Sequence, residues 1–183
     1  MNMALGIGIY LAIYREVHDQ GRTIPFPSRQ HGYHSTHSDT FQDVLSKMET
    51  FAALNPDKCG GGKAFNAADG QTVSWAQVWP ALCKHNCLLG TGPVENSQPM
   101  EEFAKQHRRV WVALAQKQGL DEELVDSHGW SHTHFMLVNF DFERDFDSPR
   151  ARSVGFAEEV DTVDGYIISW NRMRAAKLLP PLE

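Results

Sequence analysis

Residues 4–14 read Ala-Leu-Gly-Ile-Gly-Ile-Tyr-Leu-Ala-Ile-Tyr, without one charged or strongly polar side chain, and the polar run from Arg15 to Asp19 closes the stretch. A helix that meets water on one side carries an apolar stripe with polar residues opposite, whereas a helix apolar all round is buried on every side. The stretch is too short to cross a bilayer, which needs roughly 20 apolar residues. It also lacks the basic flank and small-residue cleavage site of a secretory signal. The pattern predicts an internal helix from about Asn2 to Asp19, stopped near Gly21, and every other element has to help cover it.

The remaining chain can supply a core. Of 183 residues 42% are hydrophobic and 22% charged, with net charge −6; this is the balance of one ordinary globular domain, 1–183. Basic residues are dispersed, the densest spot being His107 to Arg109, which argues against nucleic acid and anionic membrane as partners. Three cysteines without a pairing scheme imply a reduced, cytoplasmic setting.

Proline-punctuated Arg22–Pro27 reads as an edge strand and residues 28–36 as a loop. Asp39 is placed to cap a helix with apolar positions Phe41, Val44, Leu45, Met48 and Phe51, ended by Asn55-Pro56. Ala64–Ala67 is a second brief strand. Ser74 and Gln77 have capping-box spacing ahead of Trp75, Val78, Trp79 and Leu82. Residues 90–93 read as loop, Pro99 opens an amphipathic helix that runs to Gly119, a short helix follows near 121–125, and Asp161 caps a last helix ended by Pro180-Pro181. The fold class is α/β, mainly α-helical, with two short strands.

Gly6-Ile-Gly8 has no third glycine and no preceding strand, so it is not a dinucleotide fingerprint. Gly60-Gly-Gly-Lys63 lacks the earlier glycine and the Ser/Thr of a phosphate loop. Cys83 and Cys87 fall four apart with His85 between them, short of a four-ligand zinc set. No cofactor and no metal are expected. Histidines cluster at 31, 34 and 37 and at 128, 132 and 134, the second group among aromatics able to line a cavity, where a side chain titrating near neutrality can serve as acid or base. Asp141, Glu143, Asp145 and Asp147 read as a solvated rim.

Several segments taken in order resemble a known family: residues 25–27 (Pro-Phe-Pro) with Ser38-Asp39, residues 64–66 (Ala-Phe-Asn) followed by Ser74-Trp75 and Trp79-Pro80, residues 151–156, and residues 170–174 with Leu179-Pro180. Together they look like the C-terminal, substrate-binding half of PRISE-type short-chain dehydrogenases (progesterone 5β-reductase/iridoid synthase-like), fungal type, without the N-terminal Rossmann half. That half carries the glycine-rich loop and the catalytic Tyr and Lys, so no catalytic or nicotinamide-binding residue transfers. The opening helix and the region 130–135 are similar to segments that wall the family's steroid- or terpenoid-sized pocket. One departure is Asn86-Cys87, where fungal relatives tend to have an aromatic followed by glycine.

The resemblance implies a cofactor-independent isomerase or cyclase, including a pericyclase such as a Diels–Alderase, acting on a hydrophobic intermediate of fungal secondary metabolism. Holding a flexible substrate in a reactive fold, with a few hydrogen bonds to developing charge, suffices for such chemistry. His132, His134 and Tyr14 are the catalytic candidates; Tyr10, Tyr33, Trp130, Phe135 and Met136 are the substrate-binding ones. The alternatives are a non-catalytic ligand-binding or partner subunit, or an inactive fragment of an NAD(P)-dependent enone reductase. Because large uncovered apolar faces mark interfaces, a homodimer through the opening helix is also expected.

Overall fold

The computed structural model describes residues 2–18 and 21–182. Helix α1, Met3–His18, is the axis of the molecule, and Ile7, Ile9, Leu11 and Ile13 are wholly inaccessible to solvent. Asp19, the expected end of this helix, lies outside the described residues. Four helices surround α1 and are named here with the rest in chain order. After β1 (Thr23–Pro25) come α2 (Gln30–His34), β2 (Thr36–His37), α3 (Gln42–Leu54), α4 (Pro56–Cys59), β3 (Val73–Ser74), α5 (Trp75–His85) and β4 (Leu89–Thr91). Then follow α6 (Met100–Gln106), α7 (Arg108–Gln118), α8 (Leu124–Ser127), α9 (Trp130–His134), a π-helical turn at Phe135–Asn139, α10 (Pro149–Ser153) and α11 (Thr162–Ala175).

Helices α6, α7, α9 and α11 pack on α1. Within the chain these helices cover most of α1, whose residues from Gly6 to Ile13 are all buried. Close approach depends on glycine. A Cβ on Gly6 would run into the His128 imidazole and the Thr133 hydroxyl, and one on Gly8 would lie 2.7 Å from Leu179 Cδ1. The indole N–H of Trp170 donates to the Ala4 carbonyl at 2.6 Å and so ties α11 to the first turn of α1.

Among the described residues four short strands form two small ladders, where two short strands were expected. β1 runs parallel to β4, Ile24 opposite Gly90, and β2 runs antiparallel to β3, Thr36 opposite Ser74. Arg22–Pro27 was legible as β1 from its prolines. Ala64–Ala67 is not a strand; the Ala67 carbonyl accepts from the Thr40 hydroxyl instead. Residues 89–91, read as the edge of a loop, form β4 because a parallel partner lies ready beside them, a tertiary cause without a local signature. Residues 30–34 likewise turn into α2 inside the expected loop.

The capping box at α5 forms as its spacing implies, the Ser74 N–H donating to Gln77 Oε1 at 2.8 Å. Asp161 accepts from the N–H groups of Val163 and Asp164 at the start of α11. Asp39 does not cap α3. Phe41 is the N-cap there, and its N–H is bound by the side chain of Asp69. The single amphipathic helix expected from Pro99 to Gly119 breaks at His107 into α6 and α7. A second, smaller apolar cluster joins Val44 and Met48 of α3 to Ala151 and Phe156.

Cys87 holds φ +60°, the left-handed region that side chains other than glycine enter at a cost. This accounts physically for the glycine that the family resemblance places there. Cys87→Gly should leave stability equal or raise it by about 1 kcal/mol, as strain relief competes with the glycine's greater unfolded-state freedom; a urea melt checks it.

Candidate functional site

A cavity of about 270 Å³ opens where three elements meet: the start of α1 (Met3, Ala4), the approach to α3 (Asp39–Gln42), and the first two turns of α11 (Thr162, Gly165, Tyr166, Ser169). Asp69 organises the junction. Its N–H donates to the Asp39 carbonyl at 2.9 Å, its own carbonyl receives the Val160 N–H at 3.0 Å, and its carboxylate takes the Phe41 N–H. One residue thus binds the start of α3 to the chain entering α11 and turns two aspartates toward one space.

Asp69 is buried and Asp39 half-buried, which changes the chemistry of both. Asp69 is 2% exposed, and burial pushes its carboxyl up to about 6, against the pull of the Phe41 N–H and with the Asp39 charge adding to the rise. Burial also raises Asp39, with the Arg144 charge and the Tyr166 hydroxyl acting the other way. Tyr166 is itself held well above the ordinary phenol range by burial and by the Asp39 charge. Behind Asp39 lies His37, stacked on Trp75 with ring centroids 5.0 Å apart, its Nε2 3.8 Å from Asp39 Oδ2. Burial first and the Arg144 charge second lower this imidazole to about 4, so it is neutral at physiological pH. A titratable acid near 6, a second acid and a phenol around one cavity form a set able to give and accept protons.

None of the eight residues singled out in the sequence lines this cavity. Tyr10 and Tyr14 belong to an aromatic cluster with Phe103, and the Tyr14 hydroxyl is spent on the Thr23 carbonyl at 2.9 Å. Tyr33 packs on Phe26, and the Trp130 indole donates to the Val125 carbonyl at 2.7 Å. His134 borders a second cavity of about 510 Å³, with Pro27, Arg29 and Val138 among its walls. His132 and Met136 are half-buried, and Phe135 stands largely exposed against Phe140. The structure therefore does not bring His132, His134 and Tyr14 together. The histidine of that region with a built partner is His128, whose Nε2 lies 3.0 Å from the Thr133 hydroxyl. Asp39 was legible only as a cap, and Asp69 carried no signal, because burial of an acid has no local pattern.

Comparison with known proteins supplies the frame. A family model described as the PRISE-like Rossmann-fold domain matches residues 1–180. The chain belongs to the PRISE-like family. Among its relatives, the short chain dehydrogenase sirR of Leptosphaeria maculans is 27% identical over 99% of this chain and 47% of its own length. The short chain dehydrogenase ausT of Aspergillus calidoustus is 23% identical over 96% of the chain and 43% of its own. An (S)-8-oxocitronellyl enol synthase of Nepeta racemosa is 24% identical over 98% and 44%. The chain thus spans about half the length of the curated relatives it matches, and the mainly helical α/β architecture is the PRISE-like fold over that part.

The family description implies a dinucleotide, and neither glycine stretch of the chain fits one. Gly6 and Gly8 sit inside α1 against His128, Thr133, Leu179 and Trp170, leaving no room for a pyrophosphate. Gly60–Lys63 follows the short α4 rather than a strand and leads into no helix. Among the described residues, no three His, Cys, Asp or Glu side chains are placed to hold a metal ion, and no helix is long and apolar enough to cross a membrane.

Proposed function

We propose that this PRISE-like chain takes a small, largely hydrophobic metabolite into the cavity at the start of α1 and moves protons on it, as an isomerase or cyclase of secondary metabolism does, without hydride transfer. The observation that carries this reading is the convergence of Asp39, Asp69 and Tyr166 on a cavity whose other walls include Met3, Ala4 and Phe41. Asp69 is the acid/base: a carboxyl titrating near 6 holds a proton often enough to deliver it and is basic enough to take one back. Met3, Ala4 and Phe41 exclude water from the carbon skeleton, which strengthens every charge interaction inside. The fungal and plant relatives named above, dehydrogenases and an enol synthase, support a small-molecule substrate.

The test is isomerisation of a β,γ-unsaturated cyclic ketone, followed by the ultraviolet absorbance of its conjugated product, with purified chain and no added nicotinamide. Conversion above the buffer rate, lost in Asp69→Asn, is the expected result. Binding of apolar probes without conversion of any of them would overturn the catalytic reading in favour of a ligand-binding subunit.

A further inference from the structure

Helix α11 contains a glycine that neither its backbone nor its packing calls for. Among the described residues, the other helical glycines are held by close approaches. A Cβ on Gly6 would run into His128 and Thr133, one on Gly8 would lie 2.7 Å from Leu179, and one on Gly32 3.2 Å from the Asp141 Cβ. Gly165 differs. It is the fourth residue of α11, outside the positive-φ region, and its N–H donates to the Asp161 carbonyl at 2.9 Å as in any helix. The three nearest neighbours of a Cβ there would all be Phe41 side-chain atoms at 3.5–3.6 Å, which is ordinary van der Waals contact. Alanine therefore fits, and glycine weakens the helix relative to it because the unfolded chain has more freedom to lose.

What the missing methyl leaves is room. Gly165 is buried, and both it and Phe41 line the cavity at the start of α1. Phe41 is not free to swing aside and supply that room. Its N–H is bound by the Asp69 side chain, and its ring lies against Gly165 with the Arg172 guanidinium 5.6 Å from the ring centroid. That guanidinium is fixed in turn by a two-pronged pair with Asp43 at 2.6 and 2.7 Å. At about 270 Å³ the cavity is a little under the usual span of ligand sites, so one methyl on its wall is felt. We infer that Gly165 is the specificity-determining residue of this cavity, a role that rests on the functional reading above. Its bare backbone admits a branched, ring-bearing carbon skeleton that an alanine would shut out, and α11 is weaker for it.

Gly165→Ala sets stability and selectivity against each other. The variant should melt about 1–4 °C above the parent. Isomerisation is followed in both for cyclohex-3-en-1-one and its 4-isopropyl derivative. The parent should convert the two ketones. The variant should keep the unsubstituted one and lose about 10-fold or more in kcat/KM for the isopropyl ketone, the scale of one methyl group in an apolar pocket. A structural disturbance would slow both alike, so the ratio between them is the deciding readout. A variant that melts below the parent or keeps the parent's ratio overturns the role of Gly165, as does a parent that turns away the isopropyl ketone; each leaves the functional reading standing. If the parent converts neither ketone, the catalytic reading fails, and the ratio of their dissociation constants in parent and variant, from NMR titration, decides the role of Gly165. Binding of neither removes the ligand site and both readings with it.

Discussion

Trp170→Ala should destabilise the chain by about 3–5 kcal/mol, the range for removing a buried tryptophan, and lower its melting temperature by about 10 °C or more for a chain of this size. The side chain is wholly buried, its ring packs on Tyr166 and, nearly parallel, on His85, and its N–H reaches the Ala4 carbonyl. The substitution therefore opens a void beside α1 and removes a tie between two helices at once. Ile168→Ala, on the same helix but 36% exposed, is the control. It should change stability by less than about 1 kcal/mol, since loss of partly solvated surface leaves no cavity. A Trp170→Ala variant melting within a degree or two of the parent would mean that α11 does not cover α1 as described.

Asp69→Asn has the largest expected effect on function, a loss of about 100-fold or more in turnover, because it removes the carboxylate that takes the proton from the substrate and returns it. Activity of the parent should rise as pH rises through about 6, where the Asp69 carboxyl loses its proton and becomes the base that takes the first proton from the substrate. Stability should tell a different story. A carboxyl raised from 3.8 to about 6 binds its proton more tightly in the folded state, so its contribution is complete below about 4 and declines as pH rises to 6. His37, lowered from 6.5 to about 4, binds its proton less tightly when folded, so its contribution grows as pH rises over nearly the same interval. The two slopes oppose each other, and the parent should show only a shallow dependence there. Asp69→Asn leaves His37 alone and should make stability climb with pH between about 4 and 6.5. His37→Phe, which keeps a ring on Trp75, should make it fall. Thermal melts across that interval check both, and slopes of the same sign in the two variants would refute the assignment.

Side chains with a local periodic or capping role were readable in advance. The apolarity of α1, the capping box at Ser74 and Gln77 and the Asp161 cap each depend on spacing within one element, whereas α11 ends at Ala175, ahead of the Pro180-Pro181 expected to stop it, where Lys177 takes a positive φ. What escaped depends on partners distant in sequence. β4 exists because β1 lies beside it. Asp39 was assigned to α3, yet the side chain that serves Phe41 comes from Asp69, 28 residues further on. The cavity collects residues from the beginning, the first third and the end of the chain. The histidines drew notice because of their type and their aromatic neighbours, but most of those aromatics pack on one another rather than around a space.

The tie between Ala4 and Trp170 spans 166 residues. Helix α1 cannot be enclosed until α11 has been made and has returned to it, and closing so long a loop is slow because its entropy must be lost before the contact repays it. Until then a nearly uncharged helix stands bare in a collapsing chain, the state in which chains of this size aggregate. Enclosure of α1 thus waits on its meeting with α11, and yield on refolding should decline with protein concentration more steeply than for a helical bundle built from neighbours in sequence.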